Sequence, residues 1–122
     1  TTCMVSVLQR ISRFYYSESC GQCTPCREGT GWLYKILSNI LSGNGTEHDL
    51  MQLDRIASQI EGHCICALGD AAAMPVRSFL KNFWNEFEYY VVKNIFMSFT
   101  DILKGNSIKF ATGFLCRFCG NK

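Results

Sequence analysis

Three cysteines lie at equal spacing in one short segment of this sequence: Cys20, Cys23 and Cys26, within SESCGQCTPCREGTGW. A turn-rich loop with a ligand at every third residue can curl around one bound group and point three sulfurs at it. A disulfide scaffold, a zinc site and an iron–sulfur cluster all begin with such a pattern. The rest of the sequence must therefore discriminate between these three kinds of site.

The residues around the three cysteines favour a bound group with net negative charge. Gly21 has no side chain, so the backbone can approach such a group closely, and Pro25 stiffens the loop. Arg27 opens the next predicted helix, whose N-terminal N–H groups and partial positive charge would face the sulfurs. The backbone N–H groups of Gly21, Gln22 and Thr24 are also expected near the sulfurs, where such hydrogen bonds tune a cluster.

The apolar residues that must position this loop recur with a helical period, at steps of three and four. No stretch alternates with period two, so we predict an all-α fold, a small four-helix bundle with the cysteine loop at one end. The apolar spacing continues beyond Glu88, so we expect either a longer last helix or an additional C-terminal helix. The four apolar stripes contain Val5, Leu8, Ile11, Phe14 and Tyr15; Trp32, Leu33, Ile36, Leu37, Ile40 and Leu41; Leu50, Leu53, Ile56, Ala57 and Ile60; and Val76, Phe79, Leu80, Phe83, Trp84 and Phe87.

Turn and capping residues predict where these helices begin and end. The SGNG segment at 42–45 stops the second helix, because its glycines can take the left-handed cap conformation. Thr46 then caps the third helix, with Asp49 in its first turn, and Gly62 ends that helix. Pro75 suits the first position of a helix, so the fourth helix is expected to begin there.

A fourth ligand is required, and the bundle topology points to Cys66 in HCICALGDAAA, between the third and fourth helices. In an antiparallel bundle this connection lies at the same end as the first one. Cys64 competes for the role, but in an extended segment the two side chains point in opposite directions, so one of them is expected to face the site. Three evenly spaced cysteines plus a distant fourth favour a [4Fe–4S] cube over zinc, which is usually held by two separated pairs.

Composition excludes other classes of site and partner. The 122 residues contain eight cysteines and are 48% hydrophobic, enough for one domain with its own core. The first residues do not resemble a signal peptide, so a reducing compartment is expected and disulfides are disfavoured. No run of about 18 apolar residues is present, which predicts no membrane span. Residues 1–88 carry a net charge of −2 and the remainder +4, without the basic stripe that nucleic-acid binding needs.

Over about residues 1–90, the motifs ESCGQCTPCREGTGW and IEGHCICALGDAAAMPV resemble the C-terminal region of the NADH-binding flavoprotein subunit of respiratory complex I. That family comprises the mitochondrial 51 kDa subunit and the F subunit of bacterial NADH–quinone oxidoreductase. The resemblance implies a helical bundle that holds one [4Fe–4S] cluster through Cys20, Cys23, Cys26 and Cys66. The position of Cys64 is commonly a threonine in the family, which implies that Cys64 is not a ligand.

The resemblance also implies an electron-transfer function within a larger complex. In the family the cluster takes electrons from an FMN that has accepted hydride from NADH, and passes them through further clusters to quinone. The glycine-rich segments for FMN and NADH are absent here and expected upstream of Thr1, so this chain should not oxidise NADH by itself. The expected partners are other subunits of the NADH dehydrogenase peripheral arm, including neighbouring iron–sulfur subunits. The expected location is the cytoplasmic side of a bacterial inner membrane or the mitochondrial matrix side.

The domain prediction divides the chain into a [4Fe–4S]-binding domain, 1–90, and a divergent tail, 91–122, partly helical or disordered. In the tail, Cys116 and Cys119 form half a metal site, and two unligated thiols are the preferred interpretation. Three alternatives stay open: a structural zinc-binding module that uses the same four cysteines, the equivalent subunit of an NAD-linked hydrogenase or formate dehydrogenase, and a truncated gene product.

Overall fold

A computed structural model describes the backbone of residues 2–104 and the side chains up to residue 92. Within this part of the chain there are four helices and no strand: α1 (Met4–Glu18), α2 (Thr24–Leu41), α3 (Glu47–Ile60) and α4 (Ala67–Lys104). The prediction of an all-α bundle is confirmed. None of the described helices is long and apolar enough to cross a membrane.

One continuous core lies between the four helices. Each helix contacts its neighbour in the sequence, and α4 closes the bundle by packing on α1 and α2 as well. Each fully buried Leu, Ile or Phe stabilises the fold by roughly 1.5–3 kcal/mol, so the core needs no covalent support. The largest fully buried apolar side chains are Leu8, Leu33, Leu37, Ile40, Leu50, Leu53, Ile60 and Phe87.

The predicted start of α3 is confirmed in detail. The Thr46 hydroxyl accepts from the Asp49 N–H at 3.3 Å, and the Asp49 carboxylate accepts from the Thr46 N–H at 2.8 Å. This reciprocal pair is a capping box, which satisfies two backbone donors that the helix leaves free. At the other end of α3, Gly62 has φ +74, so the predicted glycine stop is also confirmed.

The predicted start of α4 at Pro75 is wrong. The helix begins at Ala67, and Pro75 lies inside it. The alanine-rich segment before the proline has high helix propensity, and Asp70 in the first turn favours the helix dipole. Pro75 removes one backbone hydrogen bond, to the Ala71 carbonyl, which this tertiary context tolerates.

The aromatic residues of the predicted stripes are not all buried. Phe14 and Trp32 are 57% and 52% exposed, and Phe83 and Trp84 are 39% and 42% exposed. At Phe83 the backbone leaves helical geometry, with φ −124 and ψ 26, so the periodicity that predicted a continuous inner face fails there. The last helix itself runs on to Lys104, while Cys116 and Cys119 lie outside the described residues.

Candidate metal centre

The two connections that carry the candidate ligands meet at one end of the bundle. The first joins α1 to α2 and the second, residues 61–66, joins α3 to α4. They are in direct contact, because the backbone N–H of Ile65 donates to the Cys23 sulfur at 3.4 Å. The bundle therefore brings the segment of Cys66 to the cysteine triplet, as its topology predicts.

The three cysteines of the triplet differ in exposure, and α2 begins among them. Cys20 is exposed, Cys23 is half-buried and Cys26 is buried. Cys23 is the N-cap residue of α2, with extended backbone angles, and its carbonyl accepts the Arg27 N–H at 2.8 Å. Cys26 lies in the first turn of α2, where its sulfur is 3.3 Å from the Ser19 hydroxyl. The sulfurs thus lie at the positive end of the α2 dipole.

Short-range contacts hold the first connection in its turn. Gly21 has φ +80, a conformation that glycine adopts without strain, and its N–H donates to the Ser19 hydroxyl at 3.4 Å. The Arg27 guanidinium donates to the Gly21 carbonyl at 3.0 Å and pairs with Glu28 at 3.1 Å. Arg27 therefore cross-links the loop to the start of α2 and also supplies positive charge beside the sulfurs.

Contacts from α4 hold the second connection. The Gly62 N–H donates to the Asp70 carboxylate at 2.7 Å, and Glu61 forms an ion pair with Arg77. The His63 N–H donates back to the Ile60 carbonyl at 3.1 Å. After these contacts the chain passes through Cys64 and Ile65 and reaches Cys66, which is exposed and directly precedes the first residue of α4.

Cys64 and Cys66 have different surroundings. Cys64 is half-buried and packs on the hydrophobic core, and its thiol donates to the Ile60 carbonyl at 3.6 Å. Gly69 makes room for it, since a Cβ on Gly69 would lie 2.5 Å from the Cys64 sulfur. Burial raises the pKa of the Cys64 thiol, helped by the charges of Cys26, Cys23 and Asp70 and opposed by the Cys26 N–H. Cys64 therefore packs as a neutral side chain of the core.

The donor set fits an iron–sulfur cluster by its chemistry. Four thiols from two adjoining connections lie near a helix N-terminus, a setting that stabilises thiolates and a net-negative group. Among the side chains that the structure describes, no three His, Cys, Asp or Glu groups converge closely enough to hold a single metal ion. A [4Fe–4S] cube does not require three side chains to converge on one metal ion, because each of its four cysteines binds a different iron atom.

Sequence reasoning missed three contributors to this end of the bundle: Ser19, Ile65 and Asp70. Ser19 lies next to Cys20, and its hydroxyl contacts Cys26 and Gly21. The N–H contact on the sulfur of Cys23, a candidate ligand, comes from Ile65, 42 residues away in sequence, whereas the Gly21 N–H contacts Ser19. The sequence signal for Asp70 is its position in the GDAAA segment after Cys66.

Comparison with known proteins identifies the region that contains these cysteines. The NADH-ubiquinone oxidoreductase-F iron-sulfur binding region matches residues 6–90. The mitochondrial NADH dehydrogenase (ubiquinone) flavoprotein 1 of Dictyostelium discoideum is 53% identical over 87 residues, which are 71% of this chain and 18% of the relative. The F subunit of the NADH-quinone oxidoreductase of Rickettsia bellii is 48% identical over 88 residues, 72% of this chain and 21% of the relative.

Solved structures show the same fold. A chain of an NAD+-reducing [NiFe]-hydrogenase in the H2-reduced state superposes with a TM-score of 0.71 and 28% identity, covering 88% of this chain and 20% of that chain. A chain of the same kind of enzyme in the air-oxidized state superposes with a TM-score of 0.71 and 32% identity, covering 74% of this chain and 16% of that chain.

The chain spans about one fifth of the length of the curated relatives it matches. The family match covers more than half of this chain and includes both cysteine-bearing connections. The chain belongs to the family of NADH-ubiquinone oxidoreductase-F iron–sulfur binding regions, and the cofactor of this region is a [4Fe–4S] cluster.

Proposed function

We propose that this chain is the electron-relay region of an NADH dehydrogenase subunit, with Cys20, Cys23, Cys26 and Cys66 as the four cluster ligands. The contact between the Ile65 N–H and the Cys23 sulfur, 3.4 Å, carries the proposal. It links the triplet to the residue next to Cys66, which supports a single site for the four thiols. Cys64 is left out of the ligand set because its thiol packs against Gly69 and Ile60.

Residues of this chain place positive charge at the site, which favours a negatively charged group. The N-terminus of α2 places partial positive charge beside Cys23 and Cys26, and the Arg27 guanidinium adds a full charge. Cys26 is buried and would lie on the inner side of the site, whereas Cys20 and Cys66 are exposed and would lie on its outer side. A bound [4Fe–4S] cluster supplies one-electron transfer, with a potential set by charge, hydrogen bonds and exposure.

The proposed relay connects a flavin to further clusters. In the longer protein, electrons from NADH would pass through FMN to this region and then toward quinone, through neighbouring iron–sulfur subunits of the peripheral arm. The NADH dehydrogenase relatives, at 48% and 53% identity, favour this assignment over a hydrogenase subunit, whose structures are 28% and 32% identical. The proposed location is peripheral, on the cytoplasmic side of a bacterial inner membrane or on the mitochondrial matrix side. Residues 1–90 are the proposed cluster-binding domain.

Metal and sulfide analysis tests the proposal. The 122-residue chain is purified without oxygen, and its iron, acid-labile sulfide and zinc are measured together with its visible and paramagnetic resonance spectra. We expect iron and sulfide in equal amounts and a chromophore that bleaches on reduction. A Cys23→Ser variant should lose both. Stoichiometric zinc without a reducible chromophore would overturn the relay in favour of a structural zinc module held by four cysteines.

A further inference from the structure

Asp70 lies in the first turn of α4, but its carboxylate reaches back to the connection before the helix. Its Oδ1 accepts the Gly62 N–H at 2.7 Å. Gly62 has φ +74, and a Cβ added there would meet nothing within 4 Å. Glycine is therefore required at position 62 by the backbone conformation and not by a lack of space, and this is the residue that Asp70 binds.

This hydrogen bond closes a short loop that contains the proposed fourth ligand. The chain leaves Gly62, passes Cys64 and Cys66, and returns to Asp70 in α4. Within the loop, the Ile65 N–H is fixed on the Cys23 sulfur. Cys66 thus follows directly after the Ile65 contact to the cysteine triplet and directly precedes α4. The first turn of α4 carries Asp70, which binds Gly62 at the start of the same loop.

We propose that Asp70 is a positioning residue for Cys66: by holding the Gly62 N–H, it fixes the path of the connection so that the Cys66 thiolate faces the triplet. This inference rests on the proposed function, because it takes Cys66 to be a ligand. Asp70 acts through the backbone and need not touch the cluster. A hydrogen bond to a carboxylate is roughly twice as strong as one between neutral groups, which suits this task.

The carboxylate of Asp70 also brings negative charge to the cysteine end. It accepts the Gly62 N–H at 2.7 Å, at the start of the connection that carries Cys66. A negative charge disfavours the addition of an electron to a nearby group. Removing it should raise the reduction potential of the bound cluster.

The variants Asp70→Asn and Asp70→Ala separate the hydrogen bond from the charge. Asparagine keeps the acceptor oxygen and loses the charge, whereas alanine loses both. Glu88→Ala is the matched control, because Glu88 is an exposed carboxylate farther along α4. For each full-length variant, amide exchange at Gly62 is measured in the cluster-free chain, and iron retention and reduction potential are measured in the loaded chain.

We expect Gly62 to exchange at least about tenfold faster in Asp70→Ala, since a charge-assisted bond is lost. Asp70→Ala should also lose iron faster. Asp70→Asn should lie between wild type and Asp70→Ala in both measurements, because a neutral acceptor forms a weaker hydrogen bond than a carboxylate, and it should still show a higher reduction potential. Glu88→Ala should change none of the three.

Wild-type exchange at Gly62 or wild-type iron retention in Asp70→Ala would overturn the positioning role. Equal losses in Asp70→Asn and Asp70→Ala would also overturn it, because the acceptor oxygen would then not suffice. A wild-type chain that takes up no cluster would defeat the proposed function instead. The exchange rate at Gly62 in the cluster-free chain would still decide whether Asp70 holds the connection.

Discussion

The two connections at the cysteine end of the bundle are held in different ways. The first begins the segment that carries three proposed ligands, and local contacts hold its turn: Ser19 and Arg27 contact Gly21. The second carries the proposed fourth ligand, and two of its contacts come from another element, because α4 supplies Asp70 and Arg77. A ligand triplet can thus be encoded in consecutive residues, whereas a single distant ligand requires the tertiary structure to place it.

The largest expected effect comes from substituting serine separately at each of the two cysteines in the second connection. Cys66→Ser should abolish cluster binding, since it removes one of the four proposed ligands. Cys64→Ser should retain the cluster, because a hydroxyl can still donate to the Ile60 carbonyl. Iron and sulfide content of the two anaerobically purified variants is the measurement. Loss of the cluster in Cys64→Ser alone would show that the fourth ligand is Cys64.

Alanine at the two left-handed glycines compares the connections directly. Gly21 and Gly62 have φ +80 and +74, and neither Cβ would meet an atom closer than 3.7 Å. Steric strain in the left-handed region should therefore destabilise each variant by about 1–2 kcal/mol. Urea unfolding of the cluster-free chain measures this free energy. A cost near zero at either position would mean that its connection relaxes into another conformation.

Sequence reasoning succeeded where structure depends on neighbouring residues. The N-cap at Thr46 and the glycine end of α3 are both encoded within a few positions. It also placed Cys66 at the correct end, because short connections force neighbouring helices to be antiparallel. Local signals therefore sufficed for the existence of the four helices and for the end of the bundle at which the two cysteine-bearing segments meet.

Sequence reasoning failed where tertiary contacts override a local preference. Pro75 is a strong signal for a helix start, yet α4 begins at Ala67 because packing tolerates one missing backbone hydrogen bond. The break at Phe83 has no sequence signal, and it turns Trp84 toward solvent against the helical period. The contact of Ile65 with Cys23 likewise needs the assembled bundle.

Gly69→Ala tests whether the second connection depends on the packing of Cys64. The new Cβ would lie 2.5 Å from the Cys64 sulfur and 2.7 Å from its Cβ. Overpacking of this kind costs about 1–3 kcal/mol, and the gain in helix propensity from alanine offsets about 1 kcal/mol of it. We expect a net destabilisation of about 1 kcal/mol in urea unfolding. Adding Cys64→Ala to this variant should reduce the destabilisation. A Gly69→Ala variant that is more stable than wild type would contradict the observed packing of Cys64.

The smallest effect is expected from Arg77→Gln, which removes the ion pairs that connect α4 to Glu61 and Asp54. The hydrogen bond and charge of Glu61, followed by the charge of Asp54, raise the pKa of Arg77. This stabilisation is therefore present at neutral pH and is lost only as pH rises above the ordinary range of arginine. All three side chains are well exposed, so salt should screen the pairs. Melting temperatures should differ slightly at low salt and coincide at high salt, with Lys81→Gln as the control. A large difference that persists in high salt would show that Arg77 holds the second connection by more than exposed ion pairs.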